Sequence, residues 1–174
     1  MIKVFALSLL AGFAALFAGC SSQDERTAES SPEPSDAVAV QAAEPLEITV
    51  ESRFGFEETI EKLKEAAAAE KFGVQGLHEI SKILTEKGYP REPLAVLEVC
   101  HPGHASVALE QDINIALMIP CPISIYEKDG KVFVSTFNTK KMATMYKGEK
   151  MPEVAAAVDE AMRKILQAVS VEGA

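Results

Sequence analysis

The chain lacks the common signatures of enzyme chemistry. It has no Gly-x-Ser-x-Gly elbow, no glycine-rich phosphate loop and no His-Glu-x-x-His helix, so the usual routes to a hydrolase, a nucleotide enzyme or a zinc protease are closed. It has no Cys-x-x-Cys, which excludes a thioredoxin-type redox site. Positive charge is scarce: 17 Lys and Arg stand against 26 Asp and Glu over 174 residues. That balance argues against nucleic acid as a partner, because phosphate binding needs a basic patch. No internal repeat is visible, and no apolar run reaches the roughly 20 residues that a transmembrane helix needs.

What is present begins with "MIKVFALSLLAGFAALFAGC". Lys3 is followed by an apolar run from Val4 to Ala18, the pattern of a secretory signal over residues 1–19. The end of the signal resembles a bacterial lipobox: Leu16, Phe17, Ala18 and Gly19 precede Cys20, with Phe17 where Leu, Val or Ile is usual. The resemblance implies a lipoprotein, with a diacylglycerol on the Cys20 thiol, cleavage before it, and a palmitate-like acyl chain on the new N-terminus. Several acyl chains anchor stably where a single one holds only marginally. Ser21, in place of Asp, implies by Gram-negative sorting an outer membrane lipoprotein facing the periplasm. In a Gram-positive host the same anchor holds the chain on the cell membrane.

Residues 20–46 are the candidate lipidated cysteine and a tether rich in Ser, Ala, Pro, Asp and Glu. The tether has no aromatic residue and no apolar stripe, so it cannot bury enough surface to offset the entropy of ordering. Residues 47–174 are long enough for one domain with a real core. Lys3 and Arg26 are the basic residues outside the domain and six acidic residues lie in the tether, which leaves 15 basic against 20 acidic in the domain. An acidic domain on an acidic tether argues against electrostatic docking onto anionic lipid, so membrane attachment is assigned to the lipid anchor.

Within the domain, "LEITVES" alternates as a strand and "FEETIEKLKEAAAAEKF" carries Ile60, Leu63, Ala66 and Ala67 at helical spacing, with Gly73 as its expected stop. "GVQGLHEI" reads as a strand and "SKILTEKG" as a short helical turn. "LAVLEVC" is apolar on both faces except at Glu98, and is expected inside the sheet. "GHASVALEQ" reads as a short helix, and "IALMIPCPISIYE" as a long strand interrupted by Pro120 and Pro122. "KDGK" is a tight hairpin turn leading into "KVFVSTFN". Val154, Val158, Met162, Ile165 and Val169 form the stripe of a last helix that starts at Pro152. The order β-α-β-(α)-β-α-β-β-α predicts an α+β fold, a mainly antiparallel sheet with helices packed on one face.

Three stretches, "FGFEETIEKLKEAAAAEKFGV", "LAVLEVCHPGHASVAL" and "ALMIPCPISIYEKDGKVFVSTFN", resemble the family called domain of unknown function 302. Cys100, His101, Pro102 and Ala105 match its first motif, followed by Leu109 at the usual apolar place. Pro120 and Cys121 match the second, and Tyr126 holds the aromatic position before the hairpin. Pro122 departs from the pattern, standing where many members carry Asn or another polar residue. The resemblance covers nearly all of residues 50–169. It implies a compact α+β domain that is often a homodimer, and it implies no established activity.

Cys100, His101, His104 and Cys121 are the candidate site, and several readings of them stay open. In an oxidising envelope an even number of cysteines suggests a disulfide, here between two strands. Two buried thiols are a second reading, since Ile119, Ile123 and Ile125 share the face of Cys121 in a regular strand. A metal reading sets both thiols with His101 or His104 around zinc or copper, with Glu98 on the side of Cys100 and the fourth ligand unassigned. Met142 and Met145 offer thioethers for copper, although a pair at that spacing more often packs in a core. A redox reading makes Cys100 a thiolate lowered by the following helix and by His101 or His104, with Cys121 as resolving partner. His78 stands alone and reads as structural, and Glu57, Glu58, Glu61 and Glu65 as a solvated helix face. Thiol-based binding of a soft metal or small ligand is the favoured function. A thiol-disulfide or sulfur-redox role and a non-catalytic interaction module are its alternatives.

The lipid anchor is testable first. Cells fed an alkynyl palmitate analogue should label the native chain and not Cys20→Ser. Label on the variant, or none on the native chain, removes the lipoprotein reading.

Overall fold

The computed structural model describes residues 45–171, as five strands, five α-helices and one 3-10 helix. The signal, Cys20 and most of the tether lie outside the described residues. The strands are β1 (Glu47–Glu51), β2 (Gly73–His78), β3 (Leu94–Cys100), β4 (Cys121–Lys128) and β5 (Lys131–Phe137). The helices are α1 (Phe56–Ala69), α2 (Ile80–Glu86), α3 (Pro102–Gln111), α4 (Thr139–Ala143) and α5 (Met151–Gln167), with the 3-10 helix over Ile113–Met118.

All strand pairs are antiparallel, in the order β1-β5-β4-β3-β2. The connection through α1 therefore carries the chain from one sheet edge to the other. Register explains which residues are buried. Ala95 opposes Ile125, Leu97 opposes Ile123, and Ile125 in turn opposes Val134. Opposed residues share a face, and these five are fully buried. Ile60, Leu63 and Ala67 of α1 close over them together with Met162, Ile165, Leu166 and Val169 from the end of α5. The opposite face carries Val96, Ser124, Tyr126, Phe133 and Ser135, all half-buried.

The α+β architecture expected from the pattern is present, and β3 lies inside the sheet as expected. Two details differ. The left-handed stop of α1 is taken by Lys71 (φ 63°), while Gly73 begins β2. The Phe72 N–H donates to the Ala67 carbonyl and the Lys71 N–H to that of Ala68, so the turn closes before the glycine is reached. The hairpin behaves as read: Asp129 (φ 53°) and Gly130 (φ 75°) supply the two positive φ angles of a tight two-residue turn.

The second difference bears on the site. The long strand expected over "IALMIPCPISIYE" is instead the 3-10 helix followed by β4, which begins only at Cys121. The Asp112 carboxylate accepts the Asn114 N–H (3.0 Å) and starts the 3-10 turn. Pro120 has no N–H for a sheet ladder and lies outside it. Pro122 is tolerated inside β4 because β4 pairs with β5 only from Ile123 onwards. The Thr136 hydroxyl donates to the Pro122 carbonyl (2.8 Å).

Leu97 is fully buried between β2 and β4. Leu97→Ala should lower unfolding stability by about 2–5 kcal/mol, read as an earlier midpoint in urea. An unchanged midpoint means that the sheet core is placed wrongly.

Candidate functional site

β3 ends at Cys100 and β4 begins at Cys121, so both cysteines sit at one end of the sheet. Past that end the core is covered by shorter pieces: α3, the 3-10 helix, α4 and the first half of α5. Ala108, Ile115, Ala143, Met151 and Ala155 make a second apolar cluster there, with Leu109, Met118, Ile119, Tyr146 and Val154 against it. Between this cluster and the sheet end lies a cavity of about 80 Å³. Its wall is apolar apart from Cys100, His101, His104, Cys121, Thr136 and Thr139. The two threonine hydroxyls are already engaged, Thr136 with Pro122 (2.8 Å) and Thr139 with the Ala155 carbonyl (3.3 Å). Two thiols and two imidazoles are therefore the chemistry left at the wall.

The structure brings together all four residues singled out from the sequence. His101 caps α3: its Nδ1 accepts the His104 N–H at 3.3 Å. The two imidazoles lie against each other with ring centroids 4.2 Å apart, and Phe72 meets His101 edge-on at 5.5 Å. On their other side the same imidazoles line a polar groove with Glu70, Lys71, Glu160 and Lys164. They therefore form the partition between that groove and the apolar cavity. Burial, and then the charge of His101, push the His104 pKa down.

Both cysteines are free thiols. Cys121 pairs in register with Val99, one residue short of Cys100, so the thiols leave neighbouring strands out of alignment. Burial pushes the Cys121 thiol up to about 11, with a smaller contribution from negative charge on Cys100. Burial also raises Cys100. That is the reverse of the lowered thiolate expected from the start of α3. The physical reason is local: the His101 ring occupies the N-terminal N–H that would have faced an anion, and the thiol lies against apolar atoms.

Other candidates fall elsewhere. The Glu98 carboxylate meets His78 Nε2 across β2 and β3 at 3.2 Å, so both residues belong to one surface pair and Glu98 is engaged away from Cys100. Met142 lines the cavity, whereas Met145 is on the surface. Glu61 and Glu65 pair with Lys64 and Lys62 on the exposed side of α1. Among the described residues no group of three or more His, Cys, Asp or Glu side chains is arranged to hold a metal ion. Sequence reasoning missed Met118, Met151 and Ala155 as wall residues. The signal was available for the last two: Met151 and Ala155 follow the helical spacing of Val154 and Val158, and Met151 extends the α5 stripe backwards by about one turn.

Comparison with known proteins agrees with this architecture. The family model described as Domain of unknown function DUF302 matches residues 48–169. The chain is also similar to a solved protein, the uncharacterized conserved protein DUF302 from Bacillus stearothermophilus. Identity is 27%, TM-score is 0.68, and the match covers 71% of this chain and 98% of that one. No curated relative matches the sequence. The chain belongs to the domain of unknown function 302 family.

The raised thiol has a consequence for stability. Below pH 9.0 the folded and unfolded chains both hold the Cys121 proton. Between 9.0 and about 11 the unfolded chain loses it first, so stability should fall as pH rises through that window. Chemical denaturation across the window should show the fall in the native chain, and Cys121→Ala should flatten it. An equal slope in both chains means that the thiol is not buried as described.

Proposed function

We propose that this family member is an envelope lipoprotein whose domain binds a small, largely apolar ligand in the cavity at the sheet end. The observation that carries the reading is that one largely apolar cavity has two thiols and two imidazoles on its wall, where burial raises both thiols and lowers His104. Such sites use apolar surface for affinity and a few polar groups for orientation. Thiols and imidazole are soft, polarisable donors. A ligand with a sulfur, a soft heteroatom or a weak hydrogen-bonding head fits them better than a carboxylate or phosphate would.

Size limits the ligand. An engineered cavity of roughly 150 Å³ takes benzene, and this one measures about 80 Å³. Anything of benzene size needs side chains to move. Met118, Met142 and Met151 are on the wall, and methionine is the side chain best able to re-pack around a guest.

Zinc or copper is the second reading, supported by both thiols and both imidazoles lining the one cavity. It requires the side chains to converge further than they do here. The redox reading receives less support, since protonated thiols are poor nucleophiles. The homodimer belongs to the proposal as well. The sheet face away from the helices supports it, where Tyr126 and Phe133 stack with centroids 5.7 Å apart.

Benzene titrated into the labelled chain should shift the amide NMR signals of Cys100, Ala108, Met118, Met151 and Ala155. Ala155→Phe, which fills the cavity, should abolish those shifts at unchanged circular dichroism. Cys121→Ser is the milder companion variant, and should weaken binding by introducing a hydroxyl. Shifts that scatter over the surface, or that survive both variants, would falsify the ligand reading.

A further inference from the structure

The domain is acidic as a whole, yet its lysines are not evenly placed. Residues 139–150 hold four lysines and one glutamate. Lys140 is held 3.5 Å from the buried Asp159 carboxylate. Lys141, Lys147 and Lys150 are exposed. The same segment displays Met145, which is 64% exposed, and the 3-10 helix displays Ile113 at 70% and Leu117 at 85%. Large apolar side chains displayed this openly on two neighbouring segments, one of them rich in lysine, are unusual for a surface that meets only water.

The segments are fastened to each other. The Lys147 N–H donates to the Asp112 carboxylate (3.1 Å) and the Lys150 N–H to the Gln111 side-chain oxygen (3.0 Å). Gly148, at φ 128°, lets the loop press on Gln111: a Cβ there would come within 2.5 Å of the Gln111 Cβ. Ile113 follows directly. The Asp112 carboxylate is engaged by the N–H groups of Lys147 and Asn114, and Glu149, exposed between Lys147 and Lys150, is the acidic side chain of the loop itself. The tether also enters here. The Leu46 carbonyl accepts the Asn138 N–H (2.8 Å), and Asn138 is the residue that caps α4. Leu46 is itself 40% exposed.

From this juxtaposition we infer that the α4–α5 loop and the 3-10 helix form a docking face for an anionic phospholipid bilayer. Leu117, Ile113 and Met145 enter the headgroup region, and Lys147 and Lys150 meet lipid phosphates. Net charge averages over the whole surface, whereas a bilayer meets one face of it, so an acidic domain can still dock by a basic patch. The inference draws on the envelope reading for its setting, but the test runs on a chain without acyl groups and does not depend on lipidation. The same elements wall the cavity with Ile115, Met118, Met142 and Ala143, which places the proposed ligand site directly behind the docking face.

The test is vesicle sedimentation of the mature chain carrying Cys20→Ser. Vesicles of phosphatidylglycerol mixed with phosphatidylcholine should bind it, and phosphatidylcholine alone should not. Binding should weaken as salt rises. Each lysine near an anionic surface is worth about fivefold in partitioning. The Lys147→Glu/Lys150→Glu pair should therefore lose at least about tenfold. Leu117→Ser should lose severalfold, while Lys87→Glu, at the C-terminal end of α2, should lose nothing comparable. All three changes lie on exposed side chains and should leave circular dichroism unchanged. Three results overturn the inference: no binding to either vesicle, binding that ignores the charge reversal, or equal binding to soluble polyglutamate that Leu117→Ser does not alter. The last would mark the face as a site for an acidic protein.

Discussion

Burial of the stripe along α5 is the constraint on which the rest depends. The helix is seventeen residues long, but it does not serve one core. Its second half, with Ala161, Met162, Ile165 and Leu166, lies over the sheet beside α1. Its first half, with Met151 and Ala155, runs past the sheet end and is covered by α3, the 3-10 helix and α4. A sheet is one regular surface and can be packed tightly along its length. Three short helical pieces meeting at angles leave space between them. The cavity lies where these two kinds of covering meet, and the strand ends that carry Cys100 and Cys121 open onto it.

Much of this was legible in the sequence, for a physical reason. A strand that alternates, such as β1, a strand apolar on both faces, such as β3, and helices with a full stripe, such as α1 and α5, carry their burial pattern in their own residues. The junctions did not read as well. "IALMIP" is apolar throughout, and an apolar run cannot by itself distinguish strand from compact helix. What decided the matter was a single carboxylate, Asp112, capping the next turn. The stop of α1 fell at Lys71 rather than Gly73 because backbone hydrogen bonds closed the turn earlier. Neither decision has a periodicity to read.

The candidate site shows the same division. Its four residues were visible as types at short spacing, and the fold places all four on one cavity. Their state was not visible. Spacing put Cys100 before a helix and made a lowered thiol the natural expectation. The helix start is instead capped by the neighbouring imidazole, and desolvation raises the thiol. A helix dipole acts only on a group that reaches the free N–H groups, and sequence cannot say whether another side chain is already there. Net charge misleads in a similar way, since it sums over faces that no partner sees together.

The most direct measurement is the mass of the domain, purified without reductant and recorded natively, then denatured with and without thiol alkylation. A native excess matching a small organic molecule, lost on denaturation, together with two alkylatable thiols, is the expected result. A chain lighter by two hydrogen atoms and closed to alkylation would replace the binding site with a disulfide. An excess matching a metal ion would show that the thiols and imidazoles converge further than this geometry has them, and would contradict an apolar ligand as the cargo.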